Sequence, residues 1–115
     1  MGKKEKVAAL ILAAGYSSRM GNFKPLLPLS GHSVIEYVVT NFRAAGISDI
    51  RVVVGFRAQD MLPVLRGLAV KPVINSRYAE GMFSSVVAGF QALYDDGVEA
   101  ALLLPVDTPL VKSRP

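Results

Sequence analysis

The stretch Val7-Ala-Ala-Leu-Ile-Leu12, running directly into Ala13-Ala14-Gly15, decides the fold. Its side chains alternate between two sides of an extended backbone, and neither set is polar. A continuous apolar run bounded by glycine therefore reads as a strand covered on both faces. The run is far too short to cross a bilayer. It also lacks the cleavage-site pattern of a secretory signal.

Beyond this strand the chain alternates helix and strand. Ser33 to Ala45 is predicted to be a helix: Ser33 and Glu36 form a capping box, Ile35, Val38, Val39 and Phe42 share one stripe, and Gly46 stops it. Ile50 to Val54 reads as a second strand, Gln59 to Leu68 as a short helix with Pro63 near its first turn, and Val70 to Ile74 as a third strand. Ser84 to Tyr94 is a helix with Val86, Val87, Phe90, Leu93 and Tyr94 spaced for burial. Ala100 to Val106 is a fourth strand, apolar on both faces, expected beside the first in the middle of a sheet. The pattern predicts an α/β fold with a doubly wound, mostly parallel sheet. Ligands of such sheets bind outside the carboxyl ends of the strands. Polar segments beginning at Ala13, Asn75 and Asp107 follow such ends and are expected to meet in one crevice.

Composition bounds the function. The chain has 115 residues, 51% hydrophobic and 19% charged, which is an ordered single domain. Its formal charge is +4, of which the leader at residues 1–6 supplies a net +2, so the balance is too modest to indicate nucleic acid. There is no cysteine, which excludes disulfides, thiolate metal sites and a cysteine nucleophile and agrees with a cytoplasmic location. The single histidine, His32, precedes a capped helix and reads as exposed and structural. Nucleophilic triads and histidine-rich metal sites have no material here.

The segment Ala13 to Lys24 is rich in small residues where the backbone can approach a ligand closely. Exposed loop amides form anion nests. Ser17 and Ser18 add hydroxyls, and Arg19 and Lys24 add cations where phosphates would sit. The spacing of Gly15 and Gly21 is not a P-loop, and no dinucleotide fingerprint occurs. The segment Asn75 to Val86 runs into a helix start, where amides and the positive dipole end favour an anion; plain helix capping by Ser84 or Ser85 accounts for it equally well. Met82, Phe83 and Tyr78 in that segment read as packing residues. Asp107 closes an apolar strand. It reads either as a Mg²⁺ ligand beside phosphates or as a turn former before Pro109.

Together the stretches LILAAGYSSRMG-NFKPLLPL, NSRYAEGMFSSVVAG and LLLPVDTPLV resemble the MobA-like nucleotidyltransferases, above all the molybdenum-cofactor cytidylyltransferases. The resemblance implies a Rossmann-like, nucleotide-diphospho-sugar transferase fold. It implies transfer of CMP from CTP to a phosphate of a molybdopterin-type cofactor, with release of pyrophosphate and with Mg²⁺ as cofactor. Carried over by position, Leu12, Ala13, Ala14 and Gly15 line the base and phosphates beside Ser17 and Ser18. Arg19 and Lys24 hold the triphosphate, Gly81 and Ser85 contact base or ribose, and Asp107 binds the metal. Guanylyltransferase relatives read Leu-Ala-Gly-Gly where this chain has Leu12-Ala-Ala-Gly15, which points to CTP, with the Ala14 methyl beside the base. Other cytidylyl- or sugar-phosphate nucleotidyltransferases share the first motif, and a nucleotide-binding module without turnover is the alternative of another class. Domains of this family continue past the equivalent of Pro115, so residues 7–115 are expected to be a nucleotide-binding part without the acceptor part. The last strand would then keep an open apolar edge, and the chain is expected either to self-associate through it or to be the ordered remainder of a longer protein.

Overall fold

The computed structural model describes residues 7–14, 28–29 and 32–105. Strand β1 (Val7–Leu12) is followed by two short strands, β2 (Pro28–Leu29) and β3 (His32–Ser33), paired antiparallel. Helix α1 (Val34–Ala44), β4 (Asp49–Val54), α2 (Ala58–Leu68), β5 (Lys71–Ile74), a 3-10 turn at Tyr78–Glu80, α3 (Met82–Asp95) and β6 (Ala100–Pro105) complete the order. The main sheet has the order β5-β4-β1-β6, and each pairing is parallel. This is the doubly wound sheet that the alternation predicts. The β2–β3 pair is not foreseen by the alternation of apolar and polar runs.

β1 is buried on both sides, and its period of two divides the core. Ala9, Ile11 and Ala13 face α1 and α2, packing with Val34, Ile35, Val38, Val39, Met61 and Leu65. Ala8, Leu10, Leu12 and Ala14 face α3, with Val53 and Leu93. The α1 capping box forms: the Ser33 amide donates to Glu36 Oε1 at 2.7 Å, and the Glu36 amide donates to Ser33 Oγ at 3.4 Å. Gly46, at φ +92°, takes the chain out of α1 in a conformation that side chains disfavour. β5 borders the sheet, which is where Pro72, with no amide hydrogen, can be accommodated. Among the described residues no helix is long and apolar enough to cross a membrane.

Two expectations are corrected. Pro63 lies inside α2, which begins at Ala58 rather than Gln59, so the proline removes the bond that would reach the Gln59 carbonyl. In α3 the stripe facing the sheet is Ser85, Gly89 and Leu93. Val86 is partly buried, but Val87 and Phe90 are half exposed and Tyr94 is 80% exposed. The reason is steric: small residues at 85 and 89 let the helix sit close, and the larger side chains turn outward. A β-carbon at Gly89 would lie 2.5 Å from Leu10 Cδ2. β6 pairs with β1 as expected, and among the described residues its other edge has no partner strand. Leu102 and Leu103 are accordingly 49% and 42% exposed.

The approach of α3 to β1 yields a stability prediction. Gly89→Val should lower the free energy of unfolding by about 1–3 kcal/mol through overpacking against Leu10. Urea unfolding monitored by circular dichroism measures it; an unchanged midpoint would show that the helix shifts freely on the sheet.

Candidate active site

The strand order places a crevice at the carboxyl edge of the sheet. The chain moves outward from β1 through β4 to β5, then crosses by α3 to β6 on the other side of β1. Leu12 lies opposite Val53 on one side and Pro105 on the other, so the carboxyl ends of β1 and β6 lie side by side. Such a reversal of winding is where ligands bind in open α/β sheets.

After β1, the backbone stays pinned to β4: the Ala13 amide donates to the Val53 carbonyl at 2.9 Å, and the Phe56 amide donates to the Ala14 carbonyl at 3.0 Å. Leu12, Ala13 and Ala14 are buried. The Ala14 methyl belongs to the cluster facing α3. Gly15, Ser17, Ser18, Arg19, Lys24 and Asp107 lie outside the described residues.

After β5, Asn75 is 5% exposed and holds the entrance of α3. Its amide nitrogen donates to Ser84 Oγ and Ser85 Oγ, both at 2.9 Å, and its Oδ1 accepts from the Arg77 amide at 2.9 Å. Helix α3 begins at Met82, two residues before the sequence expectation, with Gly81 as a cap that makes no side-chain bond. Gly81 has φ +109°, which glycine adopts without strain. Ser84 and Ser85 are thus first-turn residues and not caps, which removes the capping account of this segment. Ser84 Oγ donates back to the Gly81 carbonyl at 2.7 Å or the Arg77 carbonyl at 2.9 Å. Ser85 is buried beneath it, while Gly81 is exposed.

The turn before α3 rests on the end of β4. A β-carbon at Gly55 would lie 2.6 Å from Tyr78 Cβ, and the Tyr78 ring packs at 6.2 Å from that of Phe56. Tyr78 is a packing residue, as expected. Met82 and Phe83 are not: they are 59% and 75% exposed at the start of α3, because the helix turns its small residues inward. His32 is exposed, beside Glu36 and edge-on to Tyr37, in agreement with a structural role. Arg57 and Arg77 add charge near this edge, each beside an acidic neighbour, Asp60 at 2.6 Å and Glu80 at 3.9 Å.

Asn75 went unselected in the sequence, although a polar residue directly after an apolar strand was the available signal. Among the described residues no group of three or more His, Cys, Asp or Glu is placed to hold a metal. Asp107, the carboxylate expected to hold Mg²⁺, follows the end of β6 by two residues in the sequence.

Known proteins share this arrangement. Over 92% of its length the chain is 36% identical to the bifunctional IPC transferase and DIPP synthase of Rubrobacter xylanophilus, and again over 92% it is 36% identical to the bifunctional protein GlmU of Aquifex aeolicus. It spans 26% and 23% of those relatives, about a quarter of their length. A nucleotidyl transferase from Methanothermobacter superposes with a TM-score of 0.82 at 31% identity, covering 94% of this chain and 53% of that one. The CTP:phosphocholine cytidylyltransferase of Streptococcus pneumoniae superposes with a TM-score of 0.73 at 26% identity, covering 89% and 45%. With residues 9–114 matching the family model, a buried β1 opening into the motif segment and a winding reversal at its carboxyl end, the chain belongs to the MobA-like NTP transferase domain family.

Proposed function

We propose that the protein is a Mg²⁺-dependent nucleotidyltransferase that moves CMP from CTP to a phosphate of a molybdopterin-type acceptor. The observation that carries the reading is that the carboxyl ends of β1 and β6 lie side by side, with Leu12 opposite Pro105. In the sequence, the segment that follows β1 bears Arg19 and Lys24, and the segment that follows β6 bears Asp107. Ala13 and Ala14 and the Gly81–Ser85 turn flank the same edge.

The chemistry suits the residue set. An oxygen of the acceptor phosphate attacks the α-phosphorus of CTP; the new O–P bond forms as the bond to the β-phosphate oxygen breaks, and pyrophosphate leaves with that electron pair. A phosphate acceptor is already ionised, so no general base is needed, in keeping with a chain whose one histidine is exposed on β3. Positioning and charge neutralisation then dominate. Arg19 would grip the triphosphate as a fork and Lys24 as a point charge. Mg²⁺, held by Asp107, would supply further neutralisation of phosphate charge.

Transfer to a different phosphate-bearing acceptor is the second reading, in which the protein is another cytidylyl- or sugar-phosphate nucleotidyltransferase. The likenesses to GlmU and to a phosphocholine cytidylyltransferase favour it about equally. Incubation with CTP, Mg²⁺ and, separately, molybdopterin, phosphocholine or a sugar 1-phosphate, with pyrophosphate release as readout, decides between them. Release with molybdopterin alone is expected, and release only with another acceptor overturns the acceptor assignment.

The donor assignment makes its own prediction. Calorimetry in the presence of Mg²⁺ should show CTP bound more tightly than GTP; GTP preferred by tenfold, about 1.4 kcal/mol, would reverse it. Lys24→Ala should weaken CTP binding by about tenfold or more, the loss of a charge-assisted bond, while leaving the thermal midpoint unchanged. Asp107→Ala should abolish the Mg²⁺ dependence of CTP binding, and an unchanged dependence would make Asp107 a turn residue only.

A further inference from the structure

We infer that Asn75, acting with Ser84, is a positioning residue that sets the Gly81–Ser85 turn for the nucleoside end of the bound nucleotide; this rests on the nucleotide-binding reading above. Asn75 is nine-tenths buried, and its backbone amide and both polar atoms of its side chain are engaged. Its backbone amide donates to the Val54 carbonyl at 2.8 Å, which fixes the end of β5 against β4. Its side chain spans from there to the first turn of α3, through Ser84 Oγ and Ser85 Oγ. The Arg77 amide can only donate, so the oxygen of Asn75 must face it and the two N–H bonds must face the hydroxyls. The orientation of the amide is thereby determined.

This arrangement differs from a helix cap. A capping side chain accepts from the first-turn amides and consumes them. Asn75 bonds hydroxyls instead and accepts only from Arg77, which precedes the helix. Ser84, accepting from Asn75, must direct its own proton to the carbonyl of Gly81 or Arg77, and so clamps the bend that contains Gly81. The tether fixes where the turn stands without covering it.

A role in positioning predicts a split between the two ends of the ligand. With the full 115-residue chain, calorimetry would compare CTP with inorganic tripolyphosphate, each with Mg²⁺, for wild type, Asn75→Ala and Ser84→Ala, alongside thermal midpoints. CTP affinity should fall about tenfold in Asn75→Ala and about threefold in Ser84→Ala, while tripolyphosphate affinity stays within about twofold, since Arg19 and Lys24 would hold it. CTP affinity unmoved in Ser84→Ala, or both ligands weakened in step with a lowered midpoint, overturns the positioning role. If Asn75→Ala fails to fold, Ser84→Ala decides alone. A wild-type chain that binds neither ligand overturns the nucleotide reading itself, and the positioning role with it.

Discussion

The burial of β1 on both faces is the constraint on which the rest of the structure depends. A strand whose two faces are both apolar cannot be covered from one side. Residues 9, 11 and 13 take α1 and α2, and residues 8, 10, 12 and 14 take α3. With α1 and α2 on one side, the chain can reach the other side only by crossing from β5 over the sheet, and it returns on the far side of β1 as β6. The winding reversal, and with it the crevice at the carboxyl edge, follows from six apolar residues that leave no polar face.

Helix α3 carries the crossing, and three unlike interactions fix it along its length. At its start, the buried amide of Asn75 holds Ser84 and Ser85. In the middle, the absent side chain of Gly89 admits Leu10 of β1. At its end, Arg51, 4% exposed on β4, donates from Nη1 to Asp96 Oδ2 at 2.5 Å and makes a two-bond fork with Asp49 at 2.9 Å. Hydrogen bonding to Asp49 first, and then Asp96, holds the guanidinium firmly protonated against the opposing effect of burial. Each end of the helix is therefore tied to a different strand, β5 by the amide and β4 by the ion pair. A buried polar group that is fully partnered fixes geometry more sharply than apolar contact alone.

Much of this was legible in the sequence because period and punctuation are local. VAALIL announced a doubly covered strand, Ser33 and Glu36 announced the start of α1, and Gly46 its end. What was not legible depends on contacts between distant residues. Periodicity marks Val87, Phe90 and Tyr94 as a buried face, yet Ser85 and Gly89 take that place because their small size lets α3 approach Leu10. The helix start moved to Met82 because the Gly81 bend is stabilised from outside, by a residue at the end of β5. Asn75 itself looks like an ordinary loop residue until its strand and the helix are brought together. Of the candidate site, the convergence of segments at one edge was legible from the strand-end rule. The buried fate of the Ala14 methyl was not, since it depends on which face of the sheet receives α3.

The electrostatics of α3 point the same way along its axis. Asp95 and Asp96 stand at its C-terminal end with no basic residue in the last turn, an arrangement that the helix dipole disfavours. Arg51 offsets this from the neighbouring strand, so the amino edge of the sheet is a neutralised cluster. The N-terminal end has the reverse character. Its first turn carries no acidic residue, and the Gly81 cap contributes no side-chain acceptor. Nothing in the helix itself compensates the positive end of the dipole, and the acidic neighbours at that edge, Asp60 and Glu80, are each beside an arginine. The chain thus balances the C-terminal end of α3 by an ion pair to β4 and holds its N-terminal end by the neutral tether of Asn75 to Ser84 and Ser85.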